Sequence, residues 1–161
     1  MTAKIFRIFI LFVTMALFSN SVWSCQHPDS VFDNLDFGLY WFDGNNNCQK
    51  AIPGQSNPYF DPNKDVVIFI HGLQSGTATN LSRSSFNWSG SGGPDLAVSQ
   101  FWHQRGYNTG ILYWNQFADE SDVAHAEAKV WTANGPRAMR WKDSSGEYNT
   151  GPSESVTDLF V

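Results

Sequence analysis

The sequence predicts an α/β domain built on a mostly parallel sheet, and three segments carry that expectation. Val66–Ile70 (VVIFI) is a continuous apolar, β-branched run rather than an alternating one. That is the pattern of a strand buried on both faces. A helical stretch follows, opened by Pro94-Asp95 and running through Arg105. Tyr107–Trp114 (YNTGILYW) is then a second strand of the buried type. Strand, helix and strand in this order make a right-handed βαβ crossover, the unit of an α/β sheet.

Composition sets the frame for that domain. A chain of 161 residues holds one ordinary domain and leaves no room for two. Hydrophobic residues at 42% and charged residues at 16% describe a globular chain, and seven Trp with thirteen Phe supply large side chains to bury. The net charge of −5 comes without a basic stripe, which argues against nucleic acid and anionic membranes as partners. Two cysteines are too few for a disulfide-built miniprotein or a four-ligand zinc module.

The N-terminus reads as an address. Lys4 and Arg7 precede the apolar run Ile8–Phe18, and Ser19-Asn20-Ser21 turns polar. This is the layout of a secretory signal peptide (residues 1–24) and is too short for a stable membrane span. Val22 and Ser24 stand at the −3 and −1 positions for cleavage before Cys25. Export, to the periplasm or outside the cell, places Cys25 and Cys48 in an oxidising compartment where one disulfide forms. Val22-Trp23-Ser24-Cys25 also loosely matches a lipoprotein box, so a lipidated Cys25 and two free thiols stand as alternatives.

The remaining elements follow in order. Phe37–Phe42 is an aromatic strand closed by the turn Asp43–Asn47. Pro53–Asp65 is loop, and Asp61-x-Asn63-x-Asp65 within it is a turn rather than a calcium loop, since the later Gly and Glu are missing. Ser75–Gly93 has the Gly/Ser/Thr/Asn composition of a long mobile loop. Leu96, Val98, Phe101 and Trp102 give the helix before Gly106 its apolar positions, and Gly106 suits the position after its end. Asp122–Trp131 is a second helix, broken by Gly135-Pro136. Arg137–Trp141 fits either class, Asp143–Gly151 is loop, and Ser153 N-caps a last helix carrying Val156, Leu159 and Phe160. The pattern is still apolar and helical at Val161, which reads as a chain cut short.

His71-Gly72-Leu73-Gln74 after the first strand, and Tyr107–Trp114 after the helix, resemble two adjacent strands of the α/β-hydrolase superfamily, closest to its secreted lipase- and esterase-like branch. The resemblance spans roughly Phe37 to Val161 and implies the N-terminal half of such a fold. In that family the His-Gly turn is the oxyanion turn. Ester hydrolysis passes through a tetrahedral oxyanion, and a backbone N–H aimed at it contributes about 10²–10³ in rate. The resemblance makes the Leu73 N–H one such donor and His71 a brace for the turn. Gly72 is read as the residue that lets the chain turn sharply off the strand. Trp114, Asn115, Gln116 and Phe117 fall where such folds place pocket or lid residues, and packing explains the aromatics equally.

The rest of that machinery is not in the sequence. No serine has glycine on both sides in a G-x-S-x-G elbow, and no histidine follows His125. His71, His103 and His125 with Asp119, Glu120 and Asp122 are conceivable metal ligands, but no His-Glu-x-x-His spacing occurs. The acidic cluster reads instead as a solvated helix N-terminus, and no metal or cofactor is expected. Asn80-Leu81-Ser82 and Asn87-Trp88-Ser89 are glycosylation sequons. The function implied is an exported serine-type ester hydrolase acting on an ester or lipid, inactive as this chain. The alternative is a non-catalytic secreted binding module or gene remnant.

Overall fold

The computed structural model describes residue 25 and residues 28–88 and 96–160. The signal segment and Pro94-Asp95 lie outside the described residues. A 3-10 turn at Asp29–Phe32 precedes strand β1 (Gly38–Phe42), followed by β2 (Cys48–Lys50) and β3 (Val66–Ile70). Next come the short strands β4 (Asn87–Trp88) and β5 (Leu96–Ala97), helix α1 (Val98–His103) and strand β6 (Asn108–Tyr113). Helices α2 (Asn115–Ala118) and α3 (Val123–Trp131), strands β7 (Trp141–Lys142) and β8 (Tyr148–Asn149), and helix α4 (Val156–Phe160) complete the chain.

The class is α/β, but the sheet is mixed rather than mostly parallel. Its order is β2-β1-β6-β3; β3 pairs parallel to β6, while β1 pairs antiparallel to both β6 and β2. The expected strand–helix–strand unit is therefore present as β3–α1–β6. The hairpin β1–β2 supplies the antiparallel half, because Asp43 closes it tightly: one carboxylate oxygen accepts the amides of Asn45 and Asn47, both at 2.8 Å. Asn46 sits there at φ 67°, a conformation that asparagine tolerates in turns.

The two parallel strands differ in burial. Every residue of β6 is buried, its polar start included: Asn108 bonds the Asp61 amide and the Asp61 and Lys64 carbonyls, and the Thr109 hydroxyl bonds His103. β3 is apolar throughout yet is the last strand of the sheet, with Val66, Phe69 and Ile70 exposed. The expectation of a strand buried on both faces fails there because an apolar run records what a strand can bury, not which neighbours it has.

Two cores flank the sheet. Tyr40, Phe42, Ile111 and Tyr113 meet Phe86, with Val98 of α1 and Cys48 packed against them. Trp114, Phe117, Ala118, Ala126, Met139 and Val156 form the second beyond the end of β6. Phe32, Phe42 and Phe117 are essentially inaccessible, and burial of each stabilises the fold by about 1.5–3 kcal/mol. Gly110 is needed in β6 because a Cβ there would lie 2.9 Å from Leu39 Cδ1 and 3.1 Å from Trp41.

Several local expectations are corrected. Asp143–Gly151 contains the turn and second strand of the β7–β8 hairpin, and Asp143 holds that turn through the amides of Ser145 and Glu147. Helix α4 is capped by Ser155, not Ser153: Ser155 and Asp158 bond reciprocally in a capping-box pattern. Helix α1 begins at Val98, with Leu96–Ala97 before it held in β5 by pairing with β4. Of the loop Ser75–Gly93, residues 75–81 are ordered in turns, and 89–93 lie outside the described residues. Asp61 makes the expected turn by accepting the Asn63 amide at 3.0 Å. The second helix is present as α3, and Asp122 is its N-cap rather than its first residue, accepting the Ala124 amide at 2.7 Å. Cys25 and Cys48 are joined in a disulfide.

Candidate functional site

The residues that resemble an oxyanion turn leave β3 at its carboxyl end, beside the carboxyl end of its parallel neighbour β6. In open α/β sheets this end of adjacent parallel strands is where ligands bind. His71 is buried at 5% exposure, and its ring stacks on the Trp114 indole with centroids 5.4 Å apart and planes 7° from parallel. Both ring nitrogens are engaged. Nδ1–H donates to the Gly72 carbonyl at 2.9 Å, and Nε2 accepts the Trp114 amide at 3.3 Å. An amide N–H only donates and a carbonyl only accepts, so these partners select the neutral Nδ1–H tautomer. The Trp114 indole N–H in turn donates to the His71 carbonyl at 2.8 Å.

The environment enforces that neutrality. Burial is the main force pushing the His71 pKa down to about 4. The bond to the Gly72 carbonyl favours the protonated form but is outweighed, and the positive charge of Arg83 adds to the lowering. His71 thus braces the turn and has no nitrogen free to act as a base toward a hydroxyl.

The turn itself projects outward. Gly72 and Leu73 are exposed, and among the described residues the Leu73 N–H donates to no acceptor. Gly72 does not occupy the left-handed region, and a Cβ built on it meets nothing within 4 Å. The turn therefore does not need glycine for its conformation, contrary to the sequence reading; what the glycine leaves is open space above the backbone. Beyond Leu73 the chain is pinned again, as the Gln74 amide donates to the Ala118 carbonyl at 3.2 Å and its side chain to Ser84 Oγ at 2.6 Å.

Trp114, Asn115, Gln116 and Phe117 are all buried. Trp114 and Phe117 belong to the second core. Gln116 works as a spacer: its Nε2 reaches the carbonyls of Phe32, Asn34 and Lys142, and its Oε1 accepts the Asp36 amide at 2.8 Å. Asn115 is wholly buried, and both polar atoms of its side chain lack a hydrogen-bond partner among the described residues.

The acidic cluster is the largest departure from the sequence reading. Asp119 and Glu120 are inaccessible to solvent, not a solvated helix start. Asp119 accepts the amides of Gly76 and Ala78 and the Lys142 ammonium, at 2.8, 2.9 and 2.7 Å. It therefore ties the segment after the His71–Gln74 turn to the end of β6. Glu120 accepts Lys129 at 2.8 Å and two nitrogens of Arg140 at 2.7 and 2.5 Å. Burial alone would raise the Glu120 pKa, but the bonds from Arg140 and Lys129 outweigh it and hold the carboxyl near about 2. Lys129 spends its other donors on the carbonyls of Phe117 and Arg140.

A second ionic centre was not foreseen at all. Asp36 receives Lys50 at 2.6 Å, Arg83 at 2.7 Å and the Tyr40 hydroxyl at 2.7 Å. Burial raises the Asp36 pKa, while Lys50, Arg83 and Tyr40 together bring it below its ordinary value. The Arg83 guanidinium also lies 4.8 Å from the Tyr113 ring centroid, a cation–π contact in a desolvated setting.

Among the described residues no three His, Cys, Asp or Glu side chains come together to hold a metal ion. His103 Nε2 contacts the Phe42 carbonyl at 2.7 Å and the Thr109 hydroxyl at 3.0 Å, and Asp122 caps α3. No described histidine bonds both a carboxylate and a serine hydroxyl. Among the described residues, no helix is long and apolar enough to cross a membrane. The chain matches no protein-family model, no characterised protein and no solved structure.

Proposed function

We propose that the chain carries the oxyanion turn of an exported serine-type ester hydrolase of the lipase/esterase-like kind, and that residues 25–161 do not hydrolyse esters unaided. The observation that carries this reading is the braced, outward-facing turn. A neutral buried His71, stacked on Trp114, fixes a backbone whose Leu73 N–H has no acceptor among the described residues and lies beside open space at Gly72. Preorganised donors of this kind act because they are aimed before charge develops. The resemblance supplies the substrate class, an ester or lipid, while nucleophile, acid and catalytic histidine are not assembled by the described residues. The disulfide between Cys25 and Cys48 is compatible with export.

The test is to read the encoding locus past codon 161. In-frame coding sequence with a G-x-S-x-G elbow, followed by an acid and a histidine, supports the hydrolase. Coding sequence without those residues overturns it.

A second reading, a secreted binding module, draws on one observation. Leu39, Trp41, Ile52, Phe60 and Phe160 line an apolar groove of about 700 Å³ open to solvent. The same locus result separates the two readings.

A further inference from the structure

Asn134 is followed by Gly135, and no other asparagine in the sequence precedes glycine. The pair stands in the irregular segment between α3, which ends at Trp131, and β7, which begins at Trp141. Asn134 is exposed. Its backbone amide donates to the Thr132 hydroxyl at 3.1 Å, but its side chain makes no hydrogen bond among the described residues. The Gly135 N–H likewise donates to no acceptor among the described residues, while the Gly135 carbonyl accepts the Ala138 amide at 2.9 Å.

These are the conditions under which an asparagine side chain reacts with its own backbone. The side-chain amide carbon lies one ring closure away from the backbone nitrogen of the next residue. In most places a Cβ crowds that nitrogen and a hydrogen bond holds its N–H. Gly135 has no Cβ and reaches backbone conformations closed to other residues. Asparagine side chains also turn readily onto the backbone that follows them. The Asp43-Gly44 pair shows the opposite case. There the carboxylate accepts the amides of Asn45 and Asn47 and the Asn47 side chain, at 2.8, 2.8 and 2.7 Å, and is pinned.

We propose that Asn134 is a site of spontaneous deamidation, through which the chain converts itself into a more acidic form. The Gly135 nitrogen bonds to Asn134 Cγ, the Cγ–Nδ2 bond breaks, and Nδ2 leaves as ammonia carrying the proton that the Gly135 nitrogen gives up. The cyclic succinimide then takes up one water from solvent. Opening at Cγ yields aspartate at position 134; opening at the main-chain carbonyl yields isoaspartate, which lengthens the backbone by one methylene. Nothing is oxidised or reduced. Either product is ionised at neutral pH and adds one negative charge. That charge arises in an open groove of about 450 Å³ that Asn134 lines together with Arg137 and Arg140. This inference does not depend on the hydrolase reading.

The experiment incubates the full folded chain at neutral and mildly alkaline pH and follows released ammonia, intact mass and a peptide map over time. The native chain is expected to release ammonia and gain about 1 Da, in the peptide that contains position 134. Part of that product is methylated by an isoaspartyl methyltransferase. The reaction is faster at the higher pH, because the attacking nitrogen must lose its proton. Asn134→Gln requires a larger ring and is expected to abolish the gain; the position is exposed, and an unchanged thermal midpoint shows that the fold is intact. Gly135→Ala is expected to slow the reaction about tenfold. Its Cβ would lie 3.2 Å from Ala128 Cβ, so the glutamine variant is the control that leaves the packing untouched. A native chain that releases no more ammonia than Asn134→Gln, or a mass gain that maps to other asparagines, would overturn the inference. A gain at position 134 in urea but not in the folded chain would overturn it too, since the fold would then shield the pair.

Discussion

Acidifying the protein from pH 7 to 4.5 is expected to destabilise it through His71. Its folded pKa is depressed to about 4, chiefly by burial, against an unfolded value of about 6.5. Between these values the unfolded chain binds the proton and the folded chain does not. Stability from this residue is therefore complete above pH 6.5 and is lost as pH falls toward 4. Over the whole window the loss approaches about 3 kcal/mol, and between pH 7 and 4.5 it is about 2.5 kcal/mol. Glu120 is held down to about 2, and its contribution is lost as pH falls from the ordinary glutamate range toward that value. The slope from pH 6.5 to 4.5 thus reports mainly on His71. Urea unfolding of the native chain and of His71→Gln at pH 7.0, 5.5 and 4.5 measures it. The native chain is expected to lose about 2.5 kcal/mol more than the variant over that range. Equal slopes in the two proteins would refute a buried neutral His71 and with it the brace on the turn.

The other expectations concern single contacts. Lys129→Met removes the ammonium that Glu120, Phe117 and Arg140 share and is expected to cost about 3–5 kcal/mol by urea midpoint, because the buried Glu120 loses one of its two cations. A cost below 1 kcal/mol would mean that Arg140 alone suffices. Gly72→Ala is expected to leave the thermal midpoint unchanged, whereas Gly151→Ala, whose Cβ would run into the Met139 carbonyl, should prevent folding. Equal tolerance of both would contradict the backbone described. Reducing the Cys25–Cys48 disulfide, which closes a sequence separation of 23, is expected to lower stability by about 3 kcal/mol, read as a shift in urea midpoint with and without reductant.

Much of the fold is legible in local sequence. The continuous apolar run Val66–Ile70 locates β3 and the segment Tyr107–Trp114 locates β6, and their parallel pairing follows from the helical stretch between them. Asp122 before Val123 marks the start of α3, and Gly106, at φ 84°, the end of the turn after α1. What escapes is set by partners far along the chain. The exposure of β3 depends on strand order, which the run Val66–Ile70 does not encode. Asp119 and Glu120 look like solvent-facing acids because the cations that neutralise them, Lys129, Arg140 and Lys142, lie 9, 20 and 23 residues downstream. Asp36 and Arg83 are 47 residues apart and carry no local signal of meeting. Within the candidate site, the His-Gly pair after a strand is visible in the sequence. The stacking partner Trp114 and the Asp119 tether on Gly76 and Ala78 become visible only in three dimensions.

The central claim, that the turn after β3 presents a catalytic backbone donor, is tested most directly by removing that donor. If the locus supplies the missing triad, its whole product hydrolyses a chromogenic short-chain ester, and Leu73→Pro is compared with Leu73→Ala. Proline deletes the N–H; alanine keeps it while removing the same side chain. The account expects kcat to fall about 10²–10³-fold in the proline variant relative to the alanine variant, with KM little changed. Equal kcat in the two variants would contradict it.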